Sequence, residues 1–173
     1  IGEGEESIPE IAALLRDMKA SGEYTREKFL RAAAKLEGFY VPSLYSVSYN
    51  PDGTVKEFGP TEDGVPARVR RRVIADLDHA YFPTNPVIPN IETVHDRVTL
   101  EVFRGCIRGC RFCQAGFICR PVREKSPEVL CRQAKESVDA TGYDEISMCC
   151  LSISDYSHIA SFTDGLLGWT DDA

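Results

Sequence analysis

The sequence predicts an α/β chain, and three observations carry that reading. From Val98 onward, strand-like and helix-like segments alternate: Val98–Phe103, Ser126–Gly142, Tyr143–Leu151 and Tyr156–Leu167. Alternation of this kind implies parallel strands joined by right-handed crossovers. Ahead of it lies a region without such alternation, holding helix patterns and a hairpin signature, which reads as α+β. Between the first strand and its helix sits a glycine-punctuated loop that carries Cys106, Cys110 and Cys113.

Composition sets the outer limits. The 173 residues are 43% hydrophobic and 27% charged, enough to bury a core and unlike a disordered chain. Twenty basic residues against 27 acidic leave a net charge of −7, which argues against general binding of nucleic-acid phosphates. Basic residues do gather at Arg68, Arg70, Arg71 and Arg72, and again at Arg104, Arg108 and Arg111. No apolar run reaches the length of a membrane span, so no membrane partner is expected. Seven cysteines, with Cys149 and Cys150 adjacent, do not resemble a secreted disulfide framework. A reducing cytoplasm is the expected compartment.

Taken in order, Ser7-Ile8-Pro9-Glu10 has the form of a capping box, with Ser7 as cap and Pro9 in the first turn. Ile8, Ile11, Leu15 and Met18 follow helical spacing until Gly22. A second helix is expected from Thr25 to Leu36, stopped by Gly38. Tyr45–Tyr49 alternates, Asn50-Pro51-Asp52-Gly53 turns and Thr54–Phe58 returns, which predicts a hairpin. Arg68–Leu77 is expected to be a further strand, followed by an extended connector through Pro83, Pro86 and Pro89. His79 and His95 lack ligand-spaced partners and read as surface or structural residues.

Val98–Phe103 alternates apolar side chains with Thr99 and Glu101, then hands over to Arg104-Gly105-Cys106-Ile107-Arg108-Gly109-Cys110-Arg111-Phe112-Cys113. Gly105 and Gly109 allow this loop to curl tightly enough to aim three thiolates at one point. Thiolates are soft ligands that suit iron–sulfur clusters, zinc or copper. Structural zinc usually takes two Cys-x2–4-Cys pairs, whereas this unit stands alone with Cys119 as the next cysteine. A zinc-stabilised binding module built on Cys106, Cys110, Cys113 and Cys119 remains an open alternative. Three cysteines on a four-iron cluster would leave one iron open to an outside ligand.

Beyond the loop, Ser126-Pro127-Glu128 gives a cap, a proline at the first helical position and an acid facing the helix dipole. Leu130, Ala134 and Val138 form the inward stripe, and Gly142 closes the helix. Cys131 lies beside that stripe and reads as a small buried residue. Ser152-Ile153-Ser154-Asp155 is a polar turn after the next strand, and Asp155 is a candidate cap for a helix from Tyr156 to Leu167.

The spacing Cys106-x3-Cys110-x2-Cys113, with Phe112 just before the last cysteine, resembles the radical S-adenosylmethionine superfamily. Glu101–Cys106, Gly142–Ile146 and Ser152–Tyr156 are similar to uncharacterised members that carry a cobalamin-binding-like domain ahead of the barrel. The resemblance implies a truncated, partial (β/α) barrel with its site at the C-terminal ends of the strands. It divides the chain into residues 1–22 as the edge of a cobalamin-binding-like domain, 23–95 as linker and 96–173 as the N-terminal part of the barrel. It also implies that the chain is a fragment of a longer protein, inactive alone. A cobalamin would belong to that longer protein rather than to this piece.

The same resemblance implies that Cys106, Cys110 and Cys113 hold a [4Fe–4S] cluster whose fourth iron binds S-adenosylmethionine. Reductive cleavage would then yield a 5′-deoxyadenosyl radical acting on an unknown substrate. Phe112 would pack near the adenine, with ordinary loop packing as the alternative. Ser152, Ser154 and Asp155 would accept hydrogen bonds from the methionine ammonium. Arg104, Arg108 and Arg111 would offset the cluster's charge, or else simply be solvated. An electron donor such as flavodoxin or ferredoxin is implied. Methylthiotransferases, which modify RNA or a ribosomal protein, are more distant relatives, so a nucleic-acid substrate stays open.

Overall fold

A computed structural model describes residues 2–91 and 93–169. Ile1, Glu92 and residues 170–173, included in the division drawn from the sequence, lie outside them. The chain separates into two compact units, Ile1–Ile74 and Ala75–Ala173. Both are mixed α/β in content.

In the first unit, α1 (Gly4–Ala20) and α2 (Arg26–Ala33) precede a hairpin of β1 (Tyr45–Tyr49) and β2 (Val55–Pro60). The expected cap at Ser7 is not what starts α1. The helix begins at Gly4 behind an extended Glu3, Pro9 lies inside it, and the buried Ser7 hydroxyl donates to the Glu3 carbonyl at 2.7 Å. The reason is a clasp from far along the chain. Glu3 N–H donates to the Arg72 carbonyl at 3.0 Å, and Glu3 Oε2 accepts from Ile74 N–H at 2.7 Å. A Cβ on Gly2 would fall 2.1 Å from the Arg72 carbonyl oxygen, so only glycine permits this approach.

The same clasp corrects the strand expected at Arg68–Leu77, which is irregular. Its polar groups serve the start of α1 instead of a sheet. Arg72, with its side chain 12% exposed, pairs with Glu10 at 2.7 Å and Glu6 at 3.1 Å, and Arg71 pairs with Glu3 at 3.0 Å. α2 is capped by Thr25, whose hydroxyl accepts from Lys28 N–H at 3.2 Å, but it ends at Ala33 rather than Leu36. The hairpin is antiparallel, with Val47 opposite Phe58, and turns through Gly53 at φ 81°. Ala34, Val41 and Leu44 form the small core beneath it.

The second unit is built on β3 (Val98–Glu101), β4 (Phe103–Arg104), the single turn α3 (Ala115–Ile118), β5 (Arg123–Glu124), α4 (Pro127–Thr141), β6 (Ile146–Cys149) and α5 (Ile159–Leu167). β3 and β6 pair in parallel, with Val98 opposite Ile146 and Glu101 opposite Cys149. α4 connects them, so this is one β–α–β unit. Its ends are those expected: Ser126 Oγ accepts from Val129 N–H at 3.4 Å, and Gly142 takes the left-handed conformation at φ 73°. The sheets are two-stranded pairs, and among the described residues none closes into a barrel.

Two boundaries differ from expectation. The strand expected to run to Phe103 stops at Glu101, and the strand expected over 143–151 is confined to 146–149. α5 starts at Ile159 behind His158, not at Tyr156, and Asp155 is not its cap. Asp155 instead closes a short 3-10 turn, Ile153–Asp155. Tyr156 is drawn inward, 2% exposed, and packs edge-on to Phe162 with ring centroids 6.3 Å apart. Leu100, Val102, Leu130, Ala134 and Phe162 complete this core. No helix among the described residues is long and apolar enough to cross a membrane.

The buried Tyr156 hydroxyl donates to the Lys125 carbonyl at 2.7 Å, and burial pushes its pKa up to about 12. An unfolded tyrosine ionises near 10, so its stabilising contribution is complete below that pH and is lost as pH rises toward 12. Tyr156→Phe should lower stability at neutral pH by about 1–2 kcal/mol in urea titrations, since it removes a buried hydrogen bond. The gap between parent and variant should close between pH 10 and 12; a gap constant over that range would contradict the burial of this phenol.

Candidate functional site

Val102 is where the sheet changes partners. Its N–H donates to the Cys149 carbonyl at 3.1 Å, while its carbonyl accepts from Lys125 N–H at 3.0 Å. From there β4 pairs antiparallel with β5, Phe103 opposite Glu124 and Arg104 opposite Arg123. This two-residue ribbon forms a neck, and residues 105–122 make the loop that it closes. All three motif cysteines are on that loop.

Gly105 makes the neck tight. Its φ is 93°, and a Cβ there would lie 2.8 Å from the Pro121 carbonyl oxygen and 2.9 Å from Val122 Cα. Gly109, at φ 64°, turns the chain between Cys106 and Cys110. Cys113 N–H donates to the Cys110 carbonyl at 3.0 Å, and Arg108 N–H points at Cys106 Sγ at 3.4 Å. Cys110 is exposed, Cys106, Cys113 and Cys119 are half-buried, and none of the seven cysteines is in a disulfide.

Arg108 joins the loop to the turn beyond β6. Its guanidinium takes Asp155 in a two-pronged grip, Nε to Oδ2 at 2.7 Å and Nη2 to Oδ1. The Asp155 side chain is 8% exposed, against 57% for Arg108. Arg108 first, and then the Ser152 hydroxyl, hold the Asp155 carboxyl below the usual carboxylate range. In return Asp155 raises the guanidinium pKa, with Cys106 and Cys110 adding to it through space. Arg104 is likewise engaged, by Glu101, at 2.8 Å for Nε and 2.8 Å for Nη2.

The structure therefore brings some of the expected residues together and leaves others apart. Arg108 links Cys106 to Asp155, and Asp155 in turn bonds Ser152. Phe112 is 92% exposed, so ordinary loop packing does not describe it. Ser154 is also exposed. Cys131 belongs to the α4–α5 contact, where burial pushes its thiol pKa up and a Cβ on Gly165 would lie 2.8 Å from its sulfur. Cys119 ends α3, and its carbonyl oxygen lies 3.1 Å from where a Gly105 Cβ would be. The Arg108–Asp155 pair was not anticipated. Its one sequence signal is opposite charge just past the C-terminal ends of two strands expected to be parallel neighbours.

Among the described residues, no three His, Cys, Asp or Glu side chains converge closely enough to hold a metal ion. The donor set still fits a thiophilic centre. Three free thiols share one loop with a pinned neck, and one sulfur already faces a backbone N–H.

Comparison with known proteins adds little. No family model matches the chain. It is 34% identical over 67 residues to an uncharacterised protein of Methanocaldococcus jannaschii. That match covers 39% of this chain and spans about 15% of the relative's length. No solved structure matches.

Gly105→Ala should be far more damaging than Gly53→Ala, although both glycines have positive φ. At Gly53 there is open space, so about 1 kcal/mol of backbone strain is expected. At Gly105 the clash with backbone adds to the strain, for about 2–4 kcal/mol in all. Chemical denaturation of the two variants checks this, and equal losses would mean the neck is not tight.

Proposed function

We propose that this chain carries a radical S-adenosylmethionine site, with Cys106, Cys110 and Cys113 as ligands of a [4Fe–4S] cluster. The observation that carries the reading is the cysteine loop itself: three free thiols, rooted by a backbone neck just past the end of β3 and beside the end of the parallel β6. Crevices beyond the carboxyl ends of parallel strands are where α/β proteins gather their ligands. When bound, the cluster would supply the electron that cleaves the cofactor's sulfonium.

The chain's own residues would do the holding. The cysteines would supply soft donors, and the Arg108 N–H donates to Cys106 Sγ. Ser152 and Ser154 offer acceptors for an ammonium on the turn after β6, where both Asp155 oxygens are already engaged by Arg108. Phe112 presents an uncovered ring that suits a planar base. Seven free thiols are consistent with a reducing cytoplasm, and an electron donor such as flavodoxin or ferredoxin would serve the cluster. Cobalamin is not part of the proposal for this chain.

After anaerobic reconstitution, Cys106→Ala, Cys110→Ala and Cys113→Ala should each lose most bound iron and sulfide. Cys131→Ala, Cys149→Ala and Cys150→Ala should keep them. Iron and zinc analysis of Cys119→Ala separates the cluster from a four-cysteine zinc module: bound zinc that Cys119→Ala removes as fully as Cys110→Ala would favour zinc. Adding S-adenosylmethionine to the reduced cluster should change its electron paramagnetic resonance spectrum, because a new ligand enters at iron. A spectrum indifferent to the cofactor would sink the enzyme reading.

A further inference from the structure

The loop is fixed at its neck, and its cysteine-bearing tip has a charged tether. Arg108 lies midway between Cys106 and Cys110, and it is engaged at both ends. Its backbone N–H faces Cys106 Sγ at 3.4 Å, while its side chain reaches Asp155, 47 residues away in sequence. A planar guanidinium against a carboxylate fixes direction as well as distance, which a lysine would not do. Asp155 is itself set in place by its 3-10 turn, its N–H donating to the Ser152 carbonyl at 2.9 Å. Its 8% exposure keeps water from competing for most of the carboxylate.

We propose that Arg108 is a positioning residue: by gripping Asp155 it anchors the Cys106–Cys110 span to the turn beyond β6 and holds the thiols ready to take up iron. The geometry stands on its own; the consequence for iron rests on the cluster reading. Two of the apolar side chains at the tip face water. Ile107 is 64% exposed and Phe112 is 92% exposed, so neither contributes much burial. A loop whose apolar side chains face water depends on its polar tether for a defined shape.

The test uses Asp155→Asn, Arg108→Lys and the exchanged pair Arg108→Asp with Asp155→Arg, each in the full chain and without S-adenosylmethionine. Hydrogen exchange should quicken about fivefold over residues 106–110 in Asp155→Asn, the scale of one half-exposed charged contact. Arg108→Lys should recover part of the protection and the exchanged pair most of it, while α4 stays unchanged throughout. Iron taken up in a fixed anaerobic incubation should fall and recover in the same order. Unchanged exchange in Asp155→Asn, or equal quickening in α4, would overturn the anchor. A loop that loosens as expected in a chain that never takes up iron would support the anchor and overturn the cluster reading.

Discussion

The second unit depends on the two hydrogen bonds of Val102. A strand residue ordinarily spends both backbone groups on one ladder or on its two flanking neighbours. Val102, fully buried, divides them between β6 on one side and Lys125 on the other. Both groups must be satisfied because no water reaches them. That requirement brings the segment after the cysteine loop back to the strand before it. Tyr156 extends the arrangement by donating its hydroxyl to the Lys125 carbonyl. Ser157 then reaches the Glu124 carboxylate through its N–H at 3.0 Å and its hydroxyl at 3.2 Å. The end of β6, the loop's neck and the turn that carries Asp155 are thus one hydrogen-bonded assembly.

How much of this was legible follows the range of each interaction. α4 was readable to the residue because its cap, its proline, its apolar stripe and its closing glycine all act within a turn or two. The hairpin was readable because Asn50-Pro51-Asp52-Gly53 sets its turn locally. α1 misled because Ser7 and Glu10 spell a capping box, while the true start is dictated by Arg72 and Ile74, more than sixty residues on. The same ion pairs explain the missing strand at Arg68–Leu77. Arg71, Arg72 and the backbone around them are committed to Glu3, Glu6 and Glu10.

The candidate site divides along the same line. Three cysteines and two glycines within ten residues announced the loop, and Gly105 proved to be the position where backbone leaves no room for a side chain. The strand leading into it was overextended by two residues, since alternation cannot reveal that Val102 changes partner. Asp155 was placed on the right turn but offered helix capping as a role, and the structure gives that role to no side chain of α5. The carboxylate is held by Arg108 instead, a pairing across 47 residues that composition cannot encode.

A firm root and a compliant tip are a physically consistent pair of properties. The root is backbone-bonded and packed against Phe103 and Val102, both buried, so opening it means exposing core. The tip carries exposed Ile107, Cys110 and Phe112, and ordering it on its own brings little burial to offset lost chain entropy. Thiolate ligands repel one another until a cation sits among them, so a loop that held three of them converged in advance would be working against that repulsion. A loop fixed at the neck and steadied by Arg108 avoids that conflict. On the cluster reading proposed above, it would keep the donors close enough to gather and leave their final convergence to the cluster.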